Sequence, residues 1–364
     1  MKTKHDVQGI FIEISGKCNA KCPYCAQWRL KQENHFGGIM SPILFEQILN
    51  HLLKIRIIDK KDNQGNLPYI RLFNWGEPFL NLEINNILQI LKNKKLKADI
   101  SSNFIVMPNI DEKLLPVIGK IKISLSGFSQ DSYGRIHGAA LDKVLNNFEN
   151  FYTYLRKYSP KTTITVAWHR YFFNENEFWD AHKYFNRPGI NFGLGRAFLV
   201  DGIEMMDFLK GKLSEDRLKQ VEKDIFLNYI RKGVAYHKKK SKDYYCPQWD
   251  CLVIDESGQL LTCCVFTRYD SDHVLGNILE MSAEEIWSSK LSDPICNECI
   301  SYGFARFAHN IDTSLPSGGG IYGLKVKFHH ELKRVLLQCG RALGQLLRKL
   351  PNGKKIIYII KNLK

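Results

Sequence analysis

Three cysteines fall on one short loop, Cys18, Cys22 and Cys25, spaced C-x3-C-x2-C. A structural zinc ion takes four protein ligands, and so short a loop supplies only three. Three thiolates do suit three corners of an iron–sulfur cubane, leaving the fourth iron open to a ligand that is not protein. A zinc knuckle that borrows a distant ligand, or buried unliganded thiols, are the blander readings of the same residues. Cysteines return downstream as Cys246, Cys251, Cys263, Cys264, Cys296 and Cys299. Between Cys251 and Cys263, an apolar run, an acidic Gly turn and a second apolar run predict a β-hairpin with thiols at its two ends.

Particular elements must position these thiols. Phe11, Ile12 and Ile14 read as a strand that Ser15-Gly16 ends, directly before the triad. After it, Ser41 as N-cap, Pro42 at the first helical position and Leu44, Ile48 and Leu52 on one face start a helix. A turn-rich stretch, 59–68, precedes a strand over 69–75. Then come a helix over 84–95, a strand over 98–102, a helix over 111–120 and a strand over 122–126. A longer helix over 141–158 leads to a strand over 162–168, a helix over 175–185 and a strand over 190–195. Such alternation implies right-handed βαβ crossovers and a parallel sheet, with site residues at the C-terminal strand ends. Further on, Ser282 and Glu285 form a capping box that opens a helix.

The 364 residues, 44% apolar and 24% charged, suit one large folded domain with a smaller one. Ten cysteines grouped as a triad and C-x2-C pairs, behind an N-terminus with no apolar signal region, point to metal or redox sites in a reducing compartment. No apolar run approaches the ~20 residues of a membrane span, so the reading is cytoplasmic. The net charge of +15 is uneven: residues 321–364 hold 11 Lys/Arg against the single acid Glu331. Ser317 to Gly323 reads as a hinge. Beyond it Leu332, Val335, Leu336, Leu343, Leu346, Leu347 and Leu350 repeat at helical spacing among basic residues. Such a helix caps the barrel, grips a partner or lies on anionic lipid at the membrane periphery. Nucleic acid is excluded, because the tail lacks interleaved aromatics and the rest lacks a basic face.

The loop CNAKCPYC after a first strand resembles the signature of the radical S-adenosylmethionine (SAM) superfamily. The resemblance implies a partial (β/α)6 TIM-like barrel in which Cys18, Cys22 and Cys25 hold a [4Fe–4S] cluster whose open iron chelates SAM, with Tyr24 beside the adenine. Asn74-Trp75-Gly76-Glu77-Pro78 resembles the family's Gly-Gly-Glu-Pro motif, which implies that Gly76 and Glu77 receive the SAM amino group; Trp75 replaces the first glycine. Ser101-Ser102-Asn103-Phe104 resembles Thr-Asn-Gly, implying SAM contacts from Ser102 and Asn103, with Phe104 in place of glycine. Ser124-Leu125-Ser126-Gly127, with the following QDSYGRIHG, resembles a run of the sulfatase-maturating and peptide-modifying branch. Ser124 matches its serine, whereas Ser126 replaces its acid and His137 its arginine. His137 reads as a surface histidine or as a proton carrier near neutral pH. Asn174 and Glu177 echo a weak Asn-x-x-Glu pattern, and Arg196 follows the sixth strand.

Residues 246–305 resemble the family's SPASM/twitch extension: Cys, a Gly-x4-Cys hairpin, a Gly-Asn…Ile-Trp helix and a C-x2-C pair. A full SPASM domain carries further cysteines, so the resemblance implies one auxiliary [4Fe–4S] cluster held by Cys246, Cys263, Cys296 and Cys299, with Cys251 or Cys264 able to replace one of them. A zinc ribbon uses the same four. The expected organisation is 1–200 barrel, 201–245 helical linker, 246–305 auxiliary-cluster domain and 306–364 basic amphipathic tail. As the family implies, the activity is reductive SAM cleavage to a 5′-deoxyadenosyl radical and hydrogen abstraction, with the auxiliary cluster accepting an electron. The partners are then a small-molecule or carbohydrate substrate and an electron donor such as flavodoxin or ferredoxin. Peptide side-chain modification is the alternative substrate class. A metal-stabilised binding protein with a docking tail is the non-enzymatic one.

Overall fold

The alternation of strand and helix builds one open sheet. The computed structural model describes residues 7–58, 69–241 and 243–309, all within one unit, Met1–Ile311. Strands β1 (Gly9–Ile12), β2 (Ile70–Arg71), β3 (Ala98–Ser102), β4 (Ile118–Ser124), β5 (Thr163–Arg170) and β6 (Ile190–Arg196) lie parallel and in sequence order. This is a partial barrel of TIM type.

Period-two alternation divides the two faces of these strands. Ile10, Ile12, Ile70, Ala98, Ile100, Ile121, Ile123, Ile164, Val166 and Trp168 are buried under the helices. Those are α1 (Ala26–Gln32), α2 (Pro42–Lys54), α3 (Ile84–Asn93), α4 (Gln130–His137), α5 (Leu141–Tyr158) and α6 (Phe178–Phe185). Ile48 and Leu52 of α2, Leu88 and Leu91 of α3, and Phe148 and Phe151 of α5 complete this core, each buried side chain contributing roughly 1.5–3 kcal/mol. Ser41 caps α2 as its sequence predicts, its hydroxyl accepting from the Leu44 N–H at 3.2 Å.

Cys251 begins a strand that joins the same sheet. β7 (Cys251–Ile254) pairs parallel with β1, Gly9 opposite Cys251, and β8 (Gln259–Leu261) and β9 (Val274–Asn277) add antiparallel strands. The order is β6-β5-β4-β3-β2-β1-β7-β8-β9. The hairpin turn is fixed by Asp255, whose Oδ1 accepts from the Ser257 and Gln259 N–H groups at 2.8 Å, and by Gly258 at φ +86°. Three helices, α7 (Gly202–Leu209), α8 (Glu215–Asp224) and α9 (Leu227–Lys238), occupy the segment read as helix and linker. They carry a second core of Met205, Val221, Ile230, Phe304 and Phe307 that also takes in Tyr24. After β9 come α10 (Ala283–Ser292), capped by Ser282 and Glu285 as expected, α11 (Pro294–Ser301) and α12 (Phe304–His309).

Two elements differ from the sequence reading. The helix expected over 111–120 is a single 3-10 turn, Leu115–Val117, because Pro116 removes a donor and Leu115 and Val117 turn into the core. The strand expected over 69–75 is reduced to Ile70–Arg71, with the Leu72 N–H still donating to the Asp99 carbonyl at 2.9 Å; from Phe73 the chain lines the site. The Ser317–Gly323 hinge and the amphipathic pattern from Leu332 lie outside the described residues.

Candidate functional site

The cysteine loop fills the C-terminal end of the barrel. Cys25 starts α1, Lys31 of that helix donates to the Cys18 and Ala20 carbonyls at 3.1 and 2.8 Å, and the Lys21 N–H donates to the His137 carbonyl at the end of α4. Cys18, Cys22, Cys25, Tyr24, Gly76, Glu77, Ser102, Asn103 and Ser124 all line one cavity of about 310 Å³. The structure thus brings these residues together with the triad, and does not bring Asn174 or Glu177 to the cavity. Burial pushes the Cys22 thiol up to about 12 and raises those of Cys18 and Cys25, so thiolates form here only against a metal centre. Three thiols facing open volume fit a cluster with a free corner.

Glu77 is the cavity's buried acid. Its Oε2 accepts the Asn103 N–H at 2.7 Å and its Oε1 the Phe79 N–H at 3.2 Å; burial raises its carboxyl to about 7 despite these donors. The loop carrying it is stitched to the cysteine loop, the Glu77 N–H donating to the Lys17 carbonyl at 2.7 Å. Gly76 is required there because a Cβ would stand 1.7 Å from the Ser15 carbonyl oxygen. Glu13, which sequence reasoning missed, receives the Trp75 and Gly76 N–H groups on one oxygen, both at 2.6 Å. Burial, then Glu256, raise its carboxyl to about 8. Asn103 turns its amide to Asn19 Oδ1 at 2.9 Å and to Cys18 Sγ at 3.7 Å. Phe104 takes a left-handed φ of +57°, a conformation that favours glycine, its ring buried against Phe79 and Phe151.

Ser126, His137 and His169 form a chain along the cavity wall. The Ser126 N–H donates to His137 Nε2 at 3.2 Å, His137 Nδ1 faces Cys22 Sγ at 3.4 Å, and Ser126 Oγ accepts the His169 N–H at 3.1 Å. His137 is neither at the surface nor titrating near neutral pH: it is buried, and burial with nearby His169 lowers its pKa to about 3. Tyr24 lines the cavity while its hydroxyl donates to Asp224 of α8 at 2.6 Å. Arg196 lines it too, stacked over Tyr229 at 4.0 Å. Asn174 and Glu177 act structurally, Asn174 folding its own turn with Tyr171 and His169 and Glu177 receiving the Phe128 N–H and the Ser129 and Ser132 hydroxyls.

The second cysteine group gathers elsewhere. Cys246, Cys263, Cys296 and Cys299 stand around an apolar cavity of about 50 Å³ walled by Trp249 and Phe266; Cys251 and Cys264 are not among its lining residues. Among the described residues no three His, Cys, Asp or Glu side chains converge closely enough for a single metal ion. The four thiols surround a volume instead, a donor set that fits a sulfur-ligated cluster. Hydrogen bonding from Cys264 lowers the Cys263 thiol to about 7, with Lys290 assisting. Lys290 is fully buried here, its Nζ donating to the Thr262 carbonyl at 2.6 Å. No helix among the described residues is long and apolar enough to cross a membrane.

Comparison with known proteins agrees with this picture. Residues 246–300 match the SPASM iron–sulfur cluster-binding domain. A probable GTP 3′,8-cyclase of Methanocaldococcus jannaschii is 26% identical over 154 residues, 41% of this chain and 47% of that protein. One from Methanococcus maripaludis is 24% identical over 146 residues, 39% of this chain and 45% of that protein. The chain therefore spans about half the length of these curated relatives. The solved structure of anSMEcpe with bound AdoMet is 17% identical, covers 90% of this chain and 97% of its own, and has a TM-score of 0.49. The SPASM match spans residues 246–300, and the cysteine triad and partial barrel that accompany it resemble those of the radical SAM proteins that carry such a domain.

Proposed function

We propose that the protein is a radical SAM oxidoreductase acting on a small molecule or carbohydrate. The observation that carries this reading is the one cavity in which Cys18, Cys22, Cys25, Glu77, Asn103 and Ser124 meet. When bound there, an iron–sulfur cluster and SAM supply a 5′-deoxyadenosyl radical that takes hydrogen from an unactivated C–H bond. Cys18, Cys22 and Cys25 would hold the cluster by three thiolates. Glu77, aimed into the cavity by the Asn103 and Phe79 N–H groups, would accept the SAM amino group, and Glu13 holds the Gly76 backbone beside it. Ser102 and Asn103 offer hydroxyl and amide partners, and Tyr24 and Tyr171, which line the same cavity, would pack beside the adenine and exclude water. Cys246, Cys263, Cys296 and Cys299 would hold the group that takes the electron left on the substrate, which makes the net reaction an oxidation. The names of the two archaeal relatives concern a nucleotide, which supports a small-molecule substrate over a peptide.

The test is anaerobic reconstitution followed by iron analysis and assay of 5′-deoxyadenosine with SAM and a strong reductant. The expected result is about eight irons per chain, as two cubanes require, and 5′-deoxyadenosine formed. Zinc in place of iron, with SAM intact, overturns the enzyme reading.

A further inference from the structure

A barrel interior is ordinarily packed with branched apolar side chains; the lumen here is charged. Alternation along β2, β3 and β4 sets Arg71, Asp99, Lys120 and Lys122 on the face turned away from the helices. Contacts confirm that face: the Arg71 guanidinium lies 4.6 Å over the Phe11 ring, Lys122 Nζ 5.5 Å over Phe73 and Lys120 Nζ 4.6 Å over Tyr69. Across the sheet, Ala167 of β5 pairs with Gly193 of β6, while Thr165 pairs with Asn191 and His169 with Gly195, so each of these pairs has at least one small residue on the lumen face. Phe73 and Ser124 belong to both regions, since they also line the cavity of the cysteine triad. Lys122 is near enough to His169 to depress its titration.

The charge in this lumen is unbalanced. Among the described residues its only ion pair joins Arg71 Nε to Asp99 Oδ2 at 3.8 Å, and neither lysine has a carboxylate within ion-pair distance. Three cations thus face one acid. Lys122 is open to water yet crowded by protein, and its pKa is lowered by that crowding although Asp99 opposes it. Like charges gathered in a concave site focus their field on whatever enters, and a guanidinium with two ammonium groups suits anionic oxygens. The Cys264 thiol, like Asp99, opposes the lowering of the Lys122 pKa.

We propose that Lys122, Lys120 and Arg71 form an anion-binding floor that holds a carboxylate or phosphate of the substrate beneath the cysteine triad's cavity, an inference that rests on the radical reading of that cavity. The floor orients the substrate so that its C–H bond faces upward between Ser124 and His169. Asp99 tunes the floor by offsetting one of its charges.

Isothermal titration of the cluster-loaded protein with inorganic pyrophosphate and, separately, with citrate distinguishes phosphate from carboxylate. The expected result is binding of one probe, weakened about tenfold by Lys122→Gln and by Lys120→Gln, as loss of one charge-assisted hydrogen bond gives. Asp99→Asn tightens it severalfold, a gain that misfolding does not produce. Binding of neither probe, or binding that all three variants leave within twofold, overturns the floor. Assay of 5′-deoxyadenosine on the same wild-type preparation separates the two failures. Protein that forms it but binds neither probe overturns this inference alone, and protein that forms none overturns the reading of the cavity.

Discussion

His137 Nδ1 lies 3.4 Å from Cys22 Sγ while His137 Nε2 accepts the Ser126 N–H at 3.2 Å. Since Nε2 is the acceptor, the ring proton of neutral His137 sits on Nδ1 and points at the sulfur. Hydrogen bonds to cluster sulfur ligands stabilise the more reduced state and raise the reduction potential. His137→Leu is therefore expected to move the potential of the triad's cluster to a more negative value and leave that of the second cluster in place. His137→Gln, which keeps an N–H donor, restores part of the shift. A redox titration followed by electron paramagnetic resonance measures both; equal potentials in wild type and the Leu variant contradict the assignment.

Glu13 ties stability to pH. Its carboxyl titrates at about 8 in the folded protein against 4.5 ordinarily, so between these values the folded state binds more protons than the unfolded. Stability then falls as pH rises through that window, and the contribution is fully favourable only below 4.5. Glu13→Gln keeps the acceptor for the Trp75 and Gly76 N–H groups and removes the titration. Wild type and variant should match near the acid end, and by pH 8 the wild type should be less stable by on the order of 2–4 kcal/mol. Glu13→Ala leaves two part-buried N–H groups without their acceptor and costs about 1–3 kcal/mol at every pH. Urea unfolding across the range decides, and parallel curves for wild type and Gln exclude the shift.

The cavity walled by Cys246, Cys263, Cys296 and Cys299 separates ligands from bystanders. Cys299→Ala is expected to lose about four irons, the content of one cubane, whereas Cys251→Ala retains them. Cys22→Ala loses the other set and abolishes 5′-deoxyadenosine formation. Iron analysis of the three variants checks the assignment; iron loss from Cys251→Ala would move the site.

Phe104 combines a strained backbone with a buried ring. A left-handed φ costs a non-glycine residue about 1–3 kcal/mol, while removing a buried phenyl ring costs about 3–5 kcal/mol. Both Phe104→Ala and Phe104→Gly should destabilise. The glycine variant should be the more stable of the two by about 1 kcal/mol, the reverse of their order in regular structure. Thermal melts of the pair read the difference directly.

The chemistry-bearing residues were legible because their spacing is local. C-x3-C-x2-C, the strand-end acid and amide and the capped helices α2 and α10 each depend on a few neighbouring positions; the fold forms both caps and gathers Cys18, Cys22, Cys25, Glu77 and Asn103 at one cavity. What the sequence hid depends on distant contacts. Glu13 looks like one more polar residue in a strand until the Trp75 and Gly76 N–H groups arrive from 62 and 63 positions away. His137 carries no mark of its burial, since the Cys22 sulfur and Ser126 amide that frame it come from other elements. The helix over 111–120 failed on Pro116, where the local pattern was apolar enough for either outcome. Pairing of β7 with β1 was invisible because parallel partners leave no turn between them.

That pairing has a consequence for biogenesis. During synthesis the first cysteine loop emerges well before the hairpin, so one edge of the strand that leads into it waits for Cys251 to meet Gly9. At 5–20 residues per second the wait is roughly 10–50 seconds, long enough for a chaperone or an iron–sulfur scaffold to reach an open edge. Contacts of such long sequence separation form slowly. Sheet completion thereby becomes a late step that joins both thiol groups in one act, and a chain interrupted before the hairpin is left with an uncapped β1 edge prone to pairing with other chains.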